Sequence, residues 1–136
     1  YLASEQGLLF RLDRARGRFT AISTGYKGSF FGVIGTRDWL VAYGLRGTAY
    51  RSVDGGAKWE RLSTGVLGGV TGAALLDDGR LLFVSQDGRV VASRDRGASF
   101  QPVAGARPDL FTDVAQAAPG RIVITGLAGV QAVALP

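Results

Sequence analysis

The sequence predicts an all-β fold of four-stranded antiparallel blades, and three observations predict it. Glycines at Gly7, Gly47, Gly88 and Gly129 recur at spacings of 40, 41 and 41 residues, and an aromatic ring follows the first three at Phe19, Trp59 and Phe100. Each period holds four short apolar or β-branched runs separated by turn residues, as a small antiparallel sheet requires. No stretch of ten or more residues carries the apolar periodicity of a helix. Four strands in a fixed period near 40 describe the blade of a β-propeller. The 136 residues hold about three such blades, whereas rings close with roughly four to eight. Residues 1–136 are therefore expected to be one partial propeller, the C-terminal part of a larger one.

Taken in order, "YLAS" opens as a strand and "GLLFRLD" follows from Gly7. In the second period the turn "GTRDW", Gly35 to Trp39, precedes strands expected near 38–43 and 48–52, with Trp39 in the packing. The third period reads "GGVTGAALL", the turn at Asp77 to Gly79, "RLLFVS", "QDG", "RVVAS" and "FQPV", with strands near 70–76, 80–85 and 89–93. The fourth repeats it as "LFTDVAQA", "PG", "RIVIT", "LAG" and "VQAVALP", with strands near 111–117 and 121–125 and Arg121 in register with Arg80. Asp77 and Asp78 read as solvated turn residues beside Gly79, not as a catalytic carboxylate pair.

Composition removes several chemistries. The chain has no Cys and no His, which excludes thiol nucleophiles, disulfides, the usual zinc sites and any Ser-His-Asp triad within it. No apolar run approaches the roughly 18 residues of a membrane span. The net charge is +5, and of 16 basic residues only Lys27 and Lys58 are lysines. These arginines are dispersed and mixed with Asp instead of clustered with stacking aromatics, so nucleic acid is not the expected partner.

Two loops stand out: "SVDGGAKW", Ser52 to Trp59, and "SRDRGASF", Ser93 to Phe100. Ser52, Asp54, Ser93 and Asp95 can bond nearby backbone and close a turn. Gly56 and Gly97 permit a left-handed conformation, and Trp59 and Phe100 supply rings to bury between strands. The loops are thus expected to be structural staples. Calcium needs several oxygen ligands at close spacing and each loop offers one carboxylate, so no metal and no cofactor is expected. In the first repeat "LDRARGRF" keeps only Phe19 of the pattern. Arg11 and Arg51 each lie four residues after their glycine, on adjacent blades, with Ala92 at the third position. They are the candidate patch for an acidic or membrane-associated partner.

The two loops resemble the Asp-box, or bacterial neuraminidase, repeat Ser-x-Asp-x-Gly-x-Thr-Trp, with Lys58 and Ser99 where Thr is usual. Over residues 7–136 the hairpins "GTAYRSVDGGAKWERL" and "DDGRLLFVSQDGRVVASRDRGASFQPV" are similar to the photosystem II stability/assembly factor-like propellers. That resemblance implies a non-catalytic scaffold that assists assembly or stability of a membrane protein complex, with a protein partner and an exported location, periplasmic or lumenal. The Asp-box also occurs in sialidases, so a fragment of a sialidase-type glycoside hydrolase is the alternative. Such an enzyme needs an arginine triad, a Glu-activated Tyr and an acidic proton donor. Only Glu5 and Glu60 are present, and the repeat places neither beside a Tyr, so no catalytic residue is expected here.

Overall fold

The computed structural model describes all 136 residues. Fourteen strands form four antiparallel sheets, and the only helical element is a single 3-10 turn at Leu45–Gly47. Blade 1 is β1 (Leu2–Ala3), β2 (Leu8–Asp13) and β3 (Arg18–Ser23); blade 2 is β4 (Phe30–Gly35), β5 (Leu40–Gly44), β6 (Ala49–Ser52) and β7 (Glu60–Leu62). Blade 3 is β8 (Val70–Leu75), β9 (Leu81–Ser85), β10 (Val90–Ser93) and β11 (Gln101–Pro102); blade 4 is β12 (Phe111–Ala118), β13 (Arg121–Gly126) and β14 (Gly129–Ala134). The chain is an all-β set of propeller blades, with the seven expected strands within two residues of their observed ends. It forms four sheets where about three were expected, because the outer two are incomplete: by repeat position blade 1 lacks a first strand and blade 4 a fourth.

Blade packing follows from side-chain alternation, in which successive residues of a strand point to opposite faces of the sheet. On β1, β2 and β3, Ala3, Leu9 and Ile22 pair across the strands and pack against Ala42, Tyr50 and Trp59 of blade 2. We call this the leading face of a blade, and the one it meets the trailing face. Between blades 2 and 3, Tyr43 and Ala49 on the leading face meet Phe83, Val91 and Phe100, with the rings of Phe83 and Phe100 stacked at 4.8 Å. Between blades 3 and 4, Leu82, Val84 and Val90 meet Val114, Ile122 and Ile124. Both faces of β9 are therefore covered, and all five of its residues are buried.

The recurring glycines earn their period by close approach. Gly7, Gly47 and Gly88 have φ of +68°, +66° and +75°, and each sits against the loop that leaves its own blade. A Cβ at Gly7 would overlap the Tyr26 carbonyl, one at Gly47 the Val66 carbonyl, and one at Gly88 would lie 3.0 Å from the Asp109 carbonyl oxygen. The first two loops also carry a Ser-Thr-Gly sequence, in which Thr24 Oγ1 donates to the Gly7 carbonyl at 2.9 Å and Thr64 Oγ1 to that of Gly47 at 2.8 Å.

Gly129 is not equivalent. Nothing lies within 4 Å of its Cβ position, and it pairs with Gly126 across a two-residue turn, Leu127 and Ala128. Thr125 pairs with Val130, whereas repeat spacing from Val84 and Val90 would place Gln131 there. The turn is one residue shorter, which reverses the faces of β14 relative to the repeat frame and sends Val133 into the core against blade 3.

Gly47→Ala combines left-handed strain with overlap on a backbone carbonyl, costs of about 1–2 and about 1–3 kcal/mol. Urea denaturation should show a loss of about 2–5 kcal/mol. Gly17→Ala, with φ +63° and open space around it, should lose only the strain component.

Candidate functional site

In the second-blade loop the buried Ser52 Oγ donates to Asp54 Oδ1 at 2.8 Å and accepts from Gly56 N at 2.9 Å. Asp54 Oδ1 also accepts from the amides of Ala57 at 3.0 Å and Lys58 at 2.9 Å, and Trp59 Nε1 donates to the Gly56 carbonyl at 3.0 Å. The third-blade loop repeats this with Ser93, Asp95 and Gly97, and Ser99 adds a hydroxyl bond to Asp95 Oδ2 at 2.6 Å. The Ser99 hydroxyl and amide, then the Ser93 hydroxyl, hold the Asp95 carboxyl down at about 2. The amide of Lys58 and the Ser52 hydroxyl lower Asp54 in the same direction. Gly97, at φ +83°, faces Val41 of the preceding blade, and Gly56, at φ +87°, faces Tyr1 and Ile22 of blade 1. The loops close on themselves and lean on the neighbouring sheet. No group of three or more His, Cys, Asp or Glu side chains is placed to hold a metal ion.

The degenerate first loop has an acid of its own. Asp13 Oδ1 accepts from the amides of Ala15 and Arg16, and Oδ2 takes the Arg16 guanidinium at 2.9 Å. The signal was present in "LDRARGRF", one residue out of register with Asp54. Asp78 likewise is not merely solvated: it grips Arg80, which is buried and reaches the carbonyl of Pro136.

Arg11 and Arg51 occupy the equivalent positions the repeat assigns, opposite Thr20 and Glu60. They differ in availability. Arg51 donates through Nε and Nη2 to Glu60 Oε1 at 2.9 and 2.7 Å, and its side chain is 20% exposed. Arg11 is exposed and forms no ion pair. The Arg51 contact also engages Glu60, one of the two glutamates.

A second feature, not anticipated from sequence, lies at the opposite end of the blades. Here the loops at 24–29, 63–69 and 104–110 alternate with the turns at Leu45–Gly47, Gln86–Gly88 and Leu127–Ala128 in a continuous rim, the first loop joined to the first turn by Leu45 N on the Ser29 carbonyl at 3.2 Å. Its links are Gly47 against Val66, the Leu67 amide on Asp87 at 3.2 Å, Gly88 against Asp109, and Leu127 N on the Leu110 carbonyl at 3.2 Å. Leu67 and Leu127 are 78% and 76% exposed, and Leu45 and Leu110 are also exposed. The acids on this rim are engaged: Asp87 with Arg89 and the Leu67 amide, and Asp109 with the amides of Leu110 and Ala128. Lys27, Arg46 and Arg107 have no carboxylate partner. Arg46 is held at φ 55°, ψ 39°, a conformation costly for a residue with a Cβ. A groove of about 530 Å³ runs beside it, lined by Arg46, Arg61, Thr64 and Leu67.

No protein-family model matches the sequence, and no curated protein is similar to it. The fold is similar to that of solved structures. The computationally designed Ika4 protein matches 98% of this chain over 83% of its own length, with 12% identity and a TM-score of 0.78. YCF48 bound to D1 peptide matches 92% of this chain over 42% of its own, with 14% identity and a TM-score of 0.64. BamB from Moraxella catarrhalis matches 96% over 38%, with 16% identity and a TM-score of 0.64. The chain thus spans less than half the length of these two natural propellers.

Two outcomes are expected of the loops. A carboxylate held below its unfolded value stabilises the fold above that value, near 3.9, and loses the contribution as pH falls through the folded value. Urea midpoints between pH 6 and pH 2 should therefore fall more steeply for the wild type than for Asp95→Asn, the difference arising between about pH 4 and about pH 2. Because the Trp59 ring is only partly buried, Trp59→Ala should lose about 3 kcal/mol, the lower end for a large core ring.

Proposed function

We propose that the chain is a non-catalytic interaction module, an arc of a β-propeller that holds a protein partner on the leucine- and arginine-bearing rim. The observation that carries this reading is the coincidence on one end of exposed Leu45, Leu67, Leu110 and Leu127 with the unpaired cations Lys27, Arg46 and Arg107. Exposed apolar side chains gathered along one rim offer contacts to a partner. Unpaired cations beside them favour an acidic partner and raise its encounter rate in a salt-dependent way. The similarity to YCF48, solved with a D1 peptide bound, supports the same class of work. On this reading the partner is a membrane-associated protein and the module acts in an exported compartment, periplasmic or lumenal. Arg11 adds charge on the blade 1 side, while Arg51 serves Glu60.

The test is capture of partners from the native membrane fraction by the wild type, by Leu67→Asp/Arg46→Glu and by Arg11→Ala, at low and moderate salt. The rim variant should lose the captured partner at least tenfold and Arg11→Ala by less, with both differences shrinking as salt rises. Equal recovery by all three proteins would overturn the rim, and hydrolysis of a sialoside by the chain would overturn the non-catalytic reading.

A further inference from the structure

The two end blades carry the two halves of one missing interface. On blade 1 the residues alternating with Ala3, Leu9 and Ile22 form its trailing face: Leu2 pairs with Phe10, Phe10 with Ala21 and Leu12 with Phe19. Apart from Ser23, which pairs with Leu8 at one end of the sheet, this face is apolar, and Leu2, Leu12 and Phe19 are 51%, 41% and 48% exposed. The repeat shows what such a face meets. At the same positions, blade 2 has Ala42, Tyr50 and Trp59 and blade 3 has Phe83, Val91 and Phe100, and both sets are covered by the leading face of the preceding blade. Phe19 occupies the position of Trp59 and Phe100, without a blade in front of it.

The chain has one uncovered leading face, on blade 4. There Val123 pairs with Ala115 and Ala132, and Thr125 with Val130, on the side of the sheet opposite Ile122 and Ile124. Ala115, Val130 and Ala132 are exposed. Small residues on this face stand against large ones on the other, the arrangement in which facing layers interdigitate. Blades 1 and 4 share no hydrogen bond and no apolar cluster, so the chain does not join its own ends. Two different patches that complement each other make a head-to-tail contact, which gives a ring where the rotation closes and a filament where it does not. Two copies bring eight sheets, within the roughly four to eight that propellers close with.

We propose that the trailing face of blade 1 docks on the leading face of blade 4 of a second copy, and reciprocally, so that two chains complete one ring. The experiment is sedimentation equilibrium of the 136-residue chain from 1 to 100 µM. The expected mass is twice 14.3 kDa. Phe19→Glu on one face and Ala132→Glu on the other should each return a single-chain mass with an unchanged β-sheet circular dichroism spectrum. Leu12→Glu serves if Phe19→Glu does not fold. Mixing the two single-chain variants should restore a two-chain species, because each retains the half the other has lost. A single-chain mass for the wild type at 100 µM would overturn the proposal and leave these faces to further blades. So would a mass that climbs without limit, or a mixture that stays single-chain.

Discussion

A blade is a sheet with two apolar faces, and burying both requires a neighbour on each side. This constraint governs the structure more than any single bond. It explains why β9, between two blades, is buried along its whole length, whereas β3, at the open end, has five of its six residues exposed. The hydrogen bonds of each sheet fix the pairing of strands, but the spacing of blades is set elsewhere. That work falls to the turn glycines Gly7, Gly47 and Gly88, which admit the carbonyl of the departing loop, and to Gly56 and Gly97, which admit the preceding blade. Where a Cβ would intrude, neighbouring sheets could not approach closely enough to share a core.

How much of this was legible in the sequence depends on whether a residue's environment is local. Turn glycines, the Ser-x-Asp-x-Gly loops and the apolar runs of β8 to β10 act over a few residues, and the sequence reported them in place. Strands β3 and β4 carried weaker signals, "RFTAIS" and "FFGVIG", because most of β3 faces solvent and glycines interrupt β4. The change at Gly129 was hidden because a glycine sits at the expected spacing while the turn beside it is a residue shorter. Phe19 and Trp59 share a motif position, yet one is half-exposed and the other packed, and only the presence of a preceding blade distinguishes them.

The candidate site was less legible for the same reason. Equivalent positions identified Arg11 and Arg51 as a pair, but not that Glu60 lies across the strand from Arg51. Across the molecule, Arg16, Arg51, Arg80 and Arg89 are committed to carboxylates. The count of basic residues therefore overstates the cations open to a partner, although the net charge of +5 is unchanged by pairing, and the rim retains Lys27, Arg46 and Arg107 without a carboxylate. Leu45 and Leu127 share a repeat position, two residues before Gly47 and Gly129, but Leu67 and Leu110 fall at two others, so no single period in the sequence gathers all four.

The cores between blades are unequal, with three buried apolar residues between blades 1 and 2, eight between blades 2 and 3, and ten between blades 3 and 4. In an array whose units touch only nearest neighbours, stability is a sum of unit and interface contributions. In the single chain the free energy of opening should then rise from the amino-terminal blade, so that blade 1 frays while blades 3 and 4 remain closed as a cooperative unit. Amide protons of β1 to β3 would exchange through this local opening and those of β9 and β13 only through global unfolding. The arc has a direction in which it comes apart.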